Sequence, residues 1–248
     1  MILGGSLESG TKAQVQVVIS VTTVSDQGYG FGIYKSQVTI NATDPDSNPV
    51  SDLSDAGFNP DPNDNGNPGD VGEDDMTTIV IGQELAVGVA NTASLAGAQV
   101  IFDIYMENLG NSTLSGLALT ENIDSVFGAG NYTLISSPAI ISDPGGGLVL
   151  DGNFDGSSSD NLLDISSTLD SGSAAQIRLG VEVNKITDQG AGFAMYSNQV
   201  VIEGNTPTGS YAFDFSDNGL DPDPNGNNAA GDAGENDPTT LHSAILQD

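Results

Sequence analysis

The chain has no cysteine, no tryptophan, one histidine and 4 basic side chains, set against 34 acidic ones in 248 residues, for a formal charge of −30. Each shortage removes a class of function. Without cysteine there can be no disulfide staples and no thiolate metal sites. His242 stands alone, so neither a histidine-based catalytic triad nor a histidine-rich zinc site can be assembled within the chain. Four lysines and arginines cannot build the positive surface that phosphates demand, which excludes nucleic acid and anionic membrane surfaces as partners. No run of about 18 apolar residues occurs, so this segment is not expected to insert into a membrane. The opening MILGGSLESG has no basic n-region and no long apolar core, so no signal peptide is expected there. Long stretches of 3.6-residue periodicity are also missing.

What is present is alternation and repetition. Apolar residues make up 37% of the chain, enough for packed cores despite the acidity. Ala13, Val15, Val17, Ile19 and Val21 alternate with Gln14, Gln16, Ser20 and Thr22, and Val100, Phe102, Ile104 and Met106 alternate with Asp103, Tyr105 and Glu107. Shorter candidates are residues 37–40, 117–119, 132–135, 148–150 and 199–202, separated by clusters of Gly, Asn, Asp, Ser and Pro. This two-residue period predicts an all-β chain of antiparallel β-sandwiches, most simply Ig-like.

The chain also repeats itself. LESGTKAQVQV at residue 7 returns as LDSGSAAQIRL at residue 169, an offset of 169 − 7 = 162. SDQGYGFGIYKSQVTI from Ser25 returns at Thr187, and SDAGFNPDPNDNGNPGDVGEDDMTT from Ser54 returns at Ser216, both with the same offset. About 30 of about 70 aligned positions are identical, far beyond shared composition. Residues 1–78 therefore correspond to the C-terminal part of one Ig-like unit, 79–240 to a complete unit, and 241–248 to the start of the next unit or an exchanged strand. The pattern is that of a window on a tandem array. A half-unit cannot bury both faces of its strands alone, so it is expected to dock on the rest, borrow strands or continue into further repeats.

Both copies carry an acidic ladder. In the first, Asn59, Asp61, Asn63 and Asn65 place oxygens at every second residue, with Asp55 before them and Asp70, Glu73 and Asp75 after. Asp221, Asp223, Asn225 and Asn227 repeat the ladder, flanked by Asp217, Asp232, Glu235 and Asp237. Ca²⁺ takes six to eight hard oxygen ligands, and alternate Asp and Asn side chains in a tight loop supply them, which predicts Asp/Asn/Gly-rich calcium-binding loops. The competing reading is a solvated acidic loop. A second stretch, Asp151, Asn153, Asp155, Asp160 and Asp164, matches the first half of an EF-hand loop, but Leu162 stands where the bidentate Glu belongs.

The period as a whole resembles the conserved tandem Ig-like repeats of large bacterial surface and secreted, adhesin-like proteins, a class of unknown function. The resemblance is carried by VIFDIYMENLGNSTLSGLALTENI at residues 100–123, NFDGSSSDNLL at 153–163, YSNQVVIEG at 196–204 and SDNGLDPDPNGN at 216–227. It implies an extracellular or cell-surface location, stacking of units, calcium at the linkers and no catalytic residues to carry over. The function expected first is a structural stalk, fibre or filament whose partners are copies of itself or further repeats of the same chain, with strand complementation of the incomplete unit. The alternative is an adhesin module that binds glycan or another surface, although few aromatic clusters stand out; Tyr34 and its repeat mate Tyr196 read as core or sandwich-corner residues. An enzyme is not expected.

Overall fold

The computed structural model describes residues 5–242; of the stretch 241–248, expected to be the start of the next unit or an exchanged strand, residues 243–248 lie outside the described residues. Four short strands fall within the first 80 residues, in the stretch read above as a half-unit: β1 (Ile33–Ser36), β2 (Thr39–Thr43), β3 (Pro49–Leu53) and β4 (Thr77–Val80). The complete unit follows with β5 (Gly88–Ala96), β6 (Gln99–Glu107), β7 (Leu114–Thr120), the short α1 (Ile123–Phe127), β8 (Tyr132–Leu134), β9 (Ala139–Ser142) and β10 (Thr168–Leu169). It ends with β11 (Ala174–Val183), β12 (Met195–Asn198), β13 (Val201–Asn205), β14 (Tyr211–Phe215), β15 (Asp217–Asn218) and β16 (Thr239–His242). Among the described residues the chain is all-β apart from α1.

Two sheets face each other in the complete unit. One runs β15–β5–β6–β11–β8, with β9 also on β11; the other runs β10–β7–β13–β14, and β12 pairs with β16 as a separate ribbon. The ladders are antiparallel except β15 beside β5, where Asp217 lies opposite Ala90. Alternation decides the faces. Phe102, Ile104 and Met106 of β6 and Ile177, Leu179 and Val181 of β11 are buried from one side, and Leu117, Leu119 and Ile202 from the other. Each such side chain removed from water is worth about 1.5–3 kcal/mol. Helix α1 is capped by Asn122, whose side chain accepts from the Ser125 N–H at 2.9 Å, and it delivers Phe127 edge-on to Tyr196 at 4.8 Å between centroids. Burial of so large a ring explains why one turn of helix persists without length or propensity of its own.

A polar seam crosses this core. The buried Glu121 accepts from the Asn198 amide at 3.2 Å, Asn198 lies opposite Thr239, and Thr239 Oγ1 donates to the Asn91 carbonyl at 2.6 Å. One Glu121 carboxylate oxygen and both side-chain polar atoms of Asn91 have no partner. Burial pushes the Glu121 carboxyl up to about 8, against the opposing pull of Asn198.

The first half-unit has the hairpins of its repeat mate without the covering strands. Tyr34 pairs with Ile79 as Tyr196 pairs with Leu241, and Ile40 with Asp52 as Ile202 with Asp214. The expected strand at residues 13–21 does not form, although its counterpart β11 is a ten-residue strand. The reason is pairing: β11 is held by β6, β8 and β9, and residues 13–21 meet no partner strand among the described residues, so water takes their backbone groups. The candidate at 148–150 shrinks to one bridge from Leu150 to Leu163, and those at 37–40 and 199–202 begin two residues late, at Thr39 and Val201.

Candidate metal centre

The two acidic loops fold alike, down to single hydrogen bonds. Asn63 N–H donates to Glu73 Oε1 at 3.4 Å, and Asn225 N–H to Glu235 Oε1 at 3.3 Å. Gly66 N–H reaches Asp61 at 2.8 Å, and Asn228 N–H reaches Asp223 at 2.7 Å. The Asn65 amide donates to Asp70 at 2.7 Å, and that of Asn227 to Asp232 at 2.8 Å. Backbone conformation is kept where residue identity is not. Asp64 and Gly226 share a positive φ (57° and 69°), as do Gly66 and Asn228 (82° and 63°), in the left-handed region that Gly, Asn and Asp tolerate best.

The expected ligands divide into two tiers. Asn63, Asn65, Asn225 and Asn227 lie exposed; the side-chain oxygens of Asn63 and Asn65, and of Asn225 and Asn227, accept backbone N–H groups two residues on, and the Asn65 and Asn227 amides bind Asp70 and Asp232. These are the Asx turns that give the loop its shape. Asn59 and Asp221 make the same turn one step earlier, at 3.4 and 3.1 Å. Beneath them, Glu73, Asp217, Asp223 and Glu235 are buried to 4–6% exposure, and each has one carboxylate oxygen with no partner. Asp55 and Asp61 are half-buried, and Asp75 and Asp237 are exposed at the rim.

Reading the loops alone misses two further acids, Asp52 and Asp214. Both precede the ladders on equivalent strand positions, β3 and β14. Asp214 accepts from the Val89 N–H of β5 at 2.9 Å, while an Asp52 oxygen is buried without a partner. A signal was available: the alternation of Tyr211, Ala212, Phe213, Asp214 and Phe215 turns Asp214 inward beside Ala212. The loop also packs closely on β5, since a Cβ at Gly88 would meet Pro222 Cβ at 2.8 Å and Ala230 Cβ at 2.9 Å.

Electrostatics mark the inner tier as mutually repelling. Burial pushes Asp214 up to about 7, with Asp217 and Glu235 adding to the rise and backbone N–H groups of Val89 and Phe215 opposing it. Burial likewise raises Asp217, with Glu235, Asp237 and Asp221 adding to it against the Asp237 N–H. Glu73 is raised by burial, and then by Asp61, Asp70 and Asp55. Among the described residues, however, no three carboxylates close into a ready-made cage by themselves. The EF-like loop is different in kind. Asp155 Oδ1 accepts from the backbone N–H groups of Ser159 (2.9 Å) and Ser157 (2.8 Å), and Oδ2 from the Ser158 hydroxyl, which together hold its carboxyl below the ordinary range. Its acceptors are satisfied internally, as in a plain hairpin loop.

A feature unseen in the sequence lies on β14. Tyr211, Phe213 and Phe215 point outward, 51%, 55% and 42% exposed, with rings 5.8 and 6.0 Å apart.

No family model matches the sequence and no curated protein matches it. Several solved structures are similar to part of it. The GH20 exo-β-N-acetylglucosaminidase of Vibrio harveyi is 15% identical over 54% of this chain and 18% of that one, with a TM-score of 0.31. BcpA, the major pilin subunit of Bacillus cereus, is 6% identical over 58% of this chain and 48% of that one, at 0.37. The collagen-binding subdomain ACE19 of the Enterococcus faecalis surface protein ACE is 13% identical over 52% and 92%, at 0.29. The chain thus spans under a fifth of the glycosidase and about half of the pilin. Likenesses this weak carry no argument about activity.

Proposed function

We propose that the chain is a calcium-stabilised, non-catalytic structural module of an extracellular stalk or fibre, with one cation at each acidic loop. The observation that carries this reading is the pair of repeat-equivalent glutamates, Glu73 and Glu235. Each is buried with an unpartnered carboxylate oxygen among further acids. Burying unpaired charge is costly, and the chain has 4 basic residues with which to answer 34 acids. A hard divalent cation relieves that repulsion, and Asn oxygens and loop carbonyls are the donors that would complete its shell. Asp214 and Asp52 would support the inner tier from the neighbouring strands. Each loop ends just before the strand that leads onward, β4 or β16, so a bound cation would stiffen the joints between units. Among the described residues no helix is long and apolar enough to cross a membrane.

Calorimetric titration with CaCl₂ tests the reading. Two sites are expected, with a rise in the melting temperature, and Glu235→Gln with Glu73→Gln should abolish both. Unchanged melting in calcium and in chelator would overturn it.

The aromatic row on β14 favours a second reading, an adhesive surface. Planar rings on a rigid strand offer stacking faces to sugars or to another protein. Retention on a glycan array that is lost in the triple alanine variant of Tyr211, Phe213 and Phe215 would support it.

A further inference from the structure

We propose that residues 11–81 form a receptor for a front half-unit: a polypeptide with strands patterned as β5–β7, bound in the register that the complete unit displays. The inference rests on the repeat reading above, and the molecule itself supplies the template. At an offset of 162, the hairpins β1–β4 and β2–β3 match β12–β16 and β13–β14 pair for pair. In the complete unit those hairpins, and β11 beside them, are covered. Ile177, Leu179, Val181, Val200 and Ile202 are 0% exposed there, whereas their mates Val15, Val17, Ile19, Val38 and Ile40 stand at 66%, 67%, 72%, 65% and 58%. One face is the other with its cover removed and its long strand unformed.

The register follows from the repeat. Ile177 lies opposite Ile104, Leu179 opposite Phe102 and Val181 opposite Val100, so Val15, Val17 and Ile19 would meet residues of those types. Ile202 lies opposite Leu119, which places Ile40 against a leucine. Charge agrees with this occupant. Strands β2 (TINAT) and β7 (LSGLALT) carry none, so their pairing escapes the repulsion of a −30 chain. Lys12 replaces Ala174, which faces Glu107, and so would set a cation against a glutamate.

Within residues 1–248, counting excludes a second copy of this segment as the occupant. The segment holds one front half, residues 79–162, and two back halves, residues 1–78 and 163–240. Exchange between copies covers one back half only by uncovering another, with no gain in buried area. The occupant is therefore a front half not already engaged with residues 163–240.

The test is a chain extended at its N-terminus by a second copy of residues 79–162, which gives the order front, back, front, back. Amide hydrogen exchange is followed at residues 13–21 and 38–42, with and without CaCl₂. In the original chain residues 13–21 should exchange at the rate of unstructured backbone; in the extended chain they should slow at least 100-fold. Val17→Asp with Ile40→Asp in the extended chain should reverse that slowing and leave β11 protected, which separates a lost interface from a misfolded protein. Unprotected residues 13–21 in the extended chain, with β11 intact, would overturn the proposal. So would protection in the original chain accompanied by a dimer mass, since a second copy would then be the occupant. Calcium uptake at residues 59–75 is read separately by titration, so failure of the metal reading shows there without touching the exchange result.

Discussion

Residues 13–80 and 175–242 are two renderings of one sequence, and they differ in what covers them. Turns, hairpins and acidic loops are the same in both, to within a few tenths of an ångström in their hydrogen bonds. The long strand is not: residues 174–183 form β11, and residues 12–21 form no strand. Local chemistry suffices for a turn because Asx bonds and left-handed residues act within five positions. A strand needs a neighbour for its backbone groups and a facing layer for its side chains.

The sharpest way to break this comparison is a matched pair of truncations. Leu179→Ala should lower the unfolding free energy of the complete unit by about 2–5 kcal/mol, the cost of a buried leucine with its cavity. Val17→Ala, its mate, should stay within about 0.5 kcal/mol. Urea denaturation measures both, and a cost above about 1 kcal/mol at Val17 would mean that the first half-unit is covered in solution.

Acidity tests the covered unit next, through the buried Glu121 that accepts from Asn198. The folded-state carboxyl of Glu121 is raised to about 8 by burial, so above the ordinary carboxyl range the folded chain binds more protons than the unfolded one. Its stability contribution is complete below about pH 4.5 and is lost as pH rises toward 8. Between pH 4.5 and 7 the loss should be about 3 kcal/mol, at 1.36 kcal/mol per unit. Glu121→Gln keeps an acceptor for the Asn198 amide and should reduce that slope to the part contributed by Asp214, itself raised to about 7 by burial, read as urea midpoints across pH in chelator.

Calcium comes third. At 100 times its dissociation constant it should stabilise the complete unit by about 2.7 kcal/mol. Asp223→Asn with Glu235→Gln should remove that gain, whereas Asp61→Asn with Glu73→Gln should delete one binding site by calorimetry and leave the midpoint of the complete unit in place. Smallest is the surface pair across β6 and β11, Arg178 to Asp103 at 2.8 Å with Arg178 49% exposed. Arg178→Ala should cost less than about 1 kcal/mol by thermal melting, matching the tolerance for Gln16 at the repeat-equivalent position.

Much of this was legible in the order of residues. Alternation placed β6 and β11, and the offset of 162 predicted equivalent loops, which the shared hydrogen bonds display. Helix α1 was not visible, because one turn held by Phe127 leaves no periodic trace. Nor was the division of the acidic loops into shaping and buried tiers, since Asn63 and Glu73 are equally good oxygen donors until burial distinguishes them. Asp214 lay outside the ladder and in plain alternation with Ala212, and the aromatic row on the opposite face of β14 follows the same rule. Both escape a search for clusters, because a strand spreads them at every second position.

The corner tyrosines have one more consequence. Tyr196 accepts the Thr187 N–H at 3.1 Å, and Tyr34 accepts the Ser25 N–H at 2.9 Å, each from nine residues upstream. The bond is the same whether or not the half-unit is covered, so it belongs to the short-range part of folding. A half-unit that has already fixed its corner, its hairpins and its loop has met most of its ordering entropy before any partner arrives. What remains is to zip one strand of about ten residues onto a waiting frame. That makes the half-unit a partly preorganised acceptor, whose remaining ordering cost is confined to that one strand.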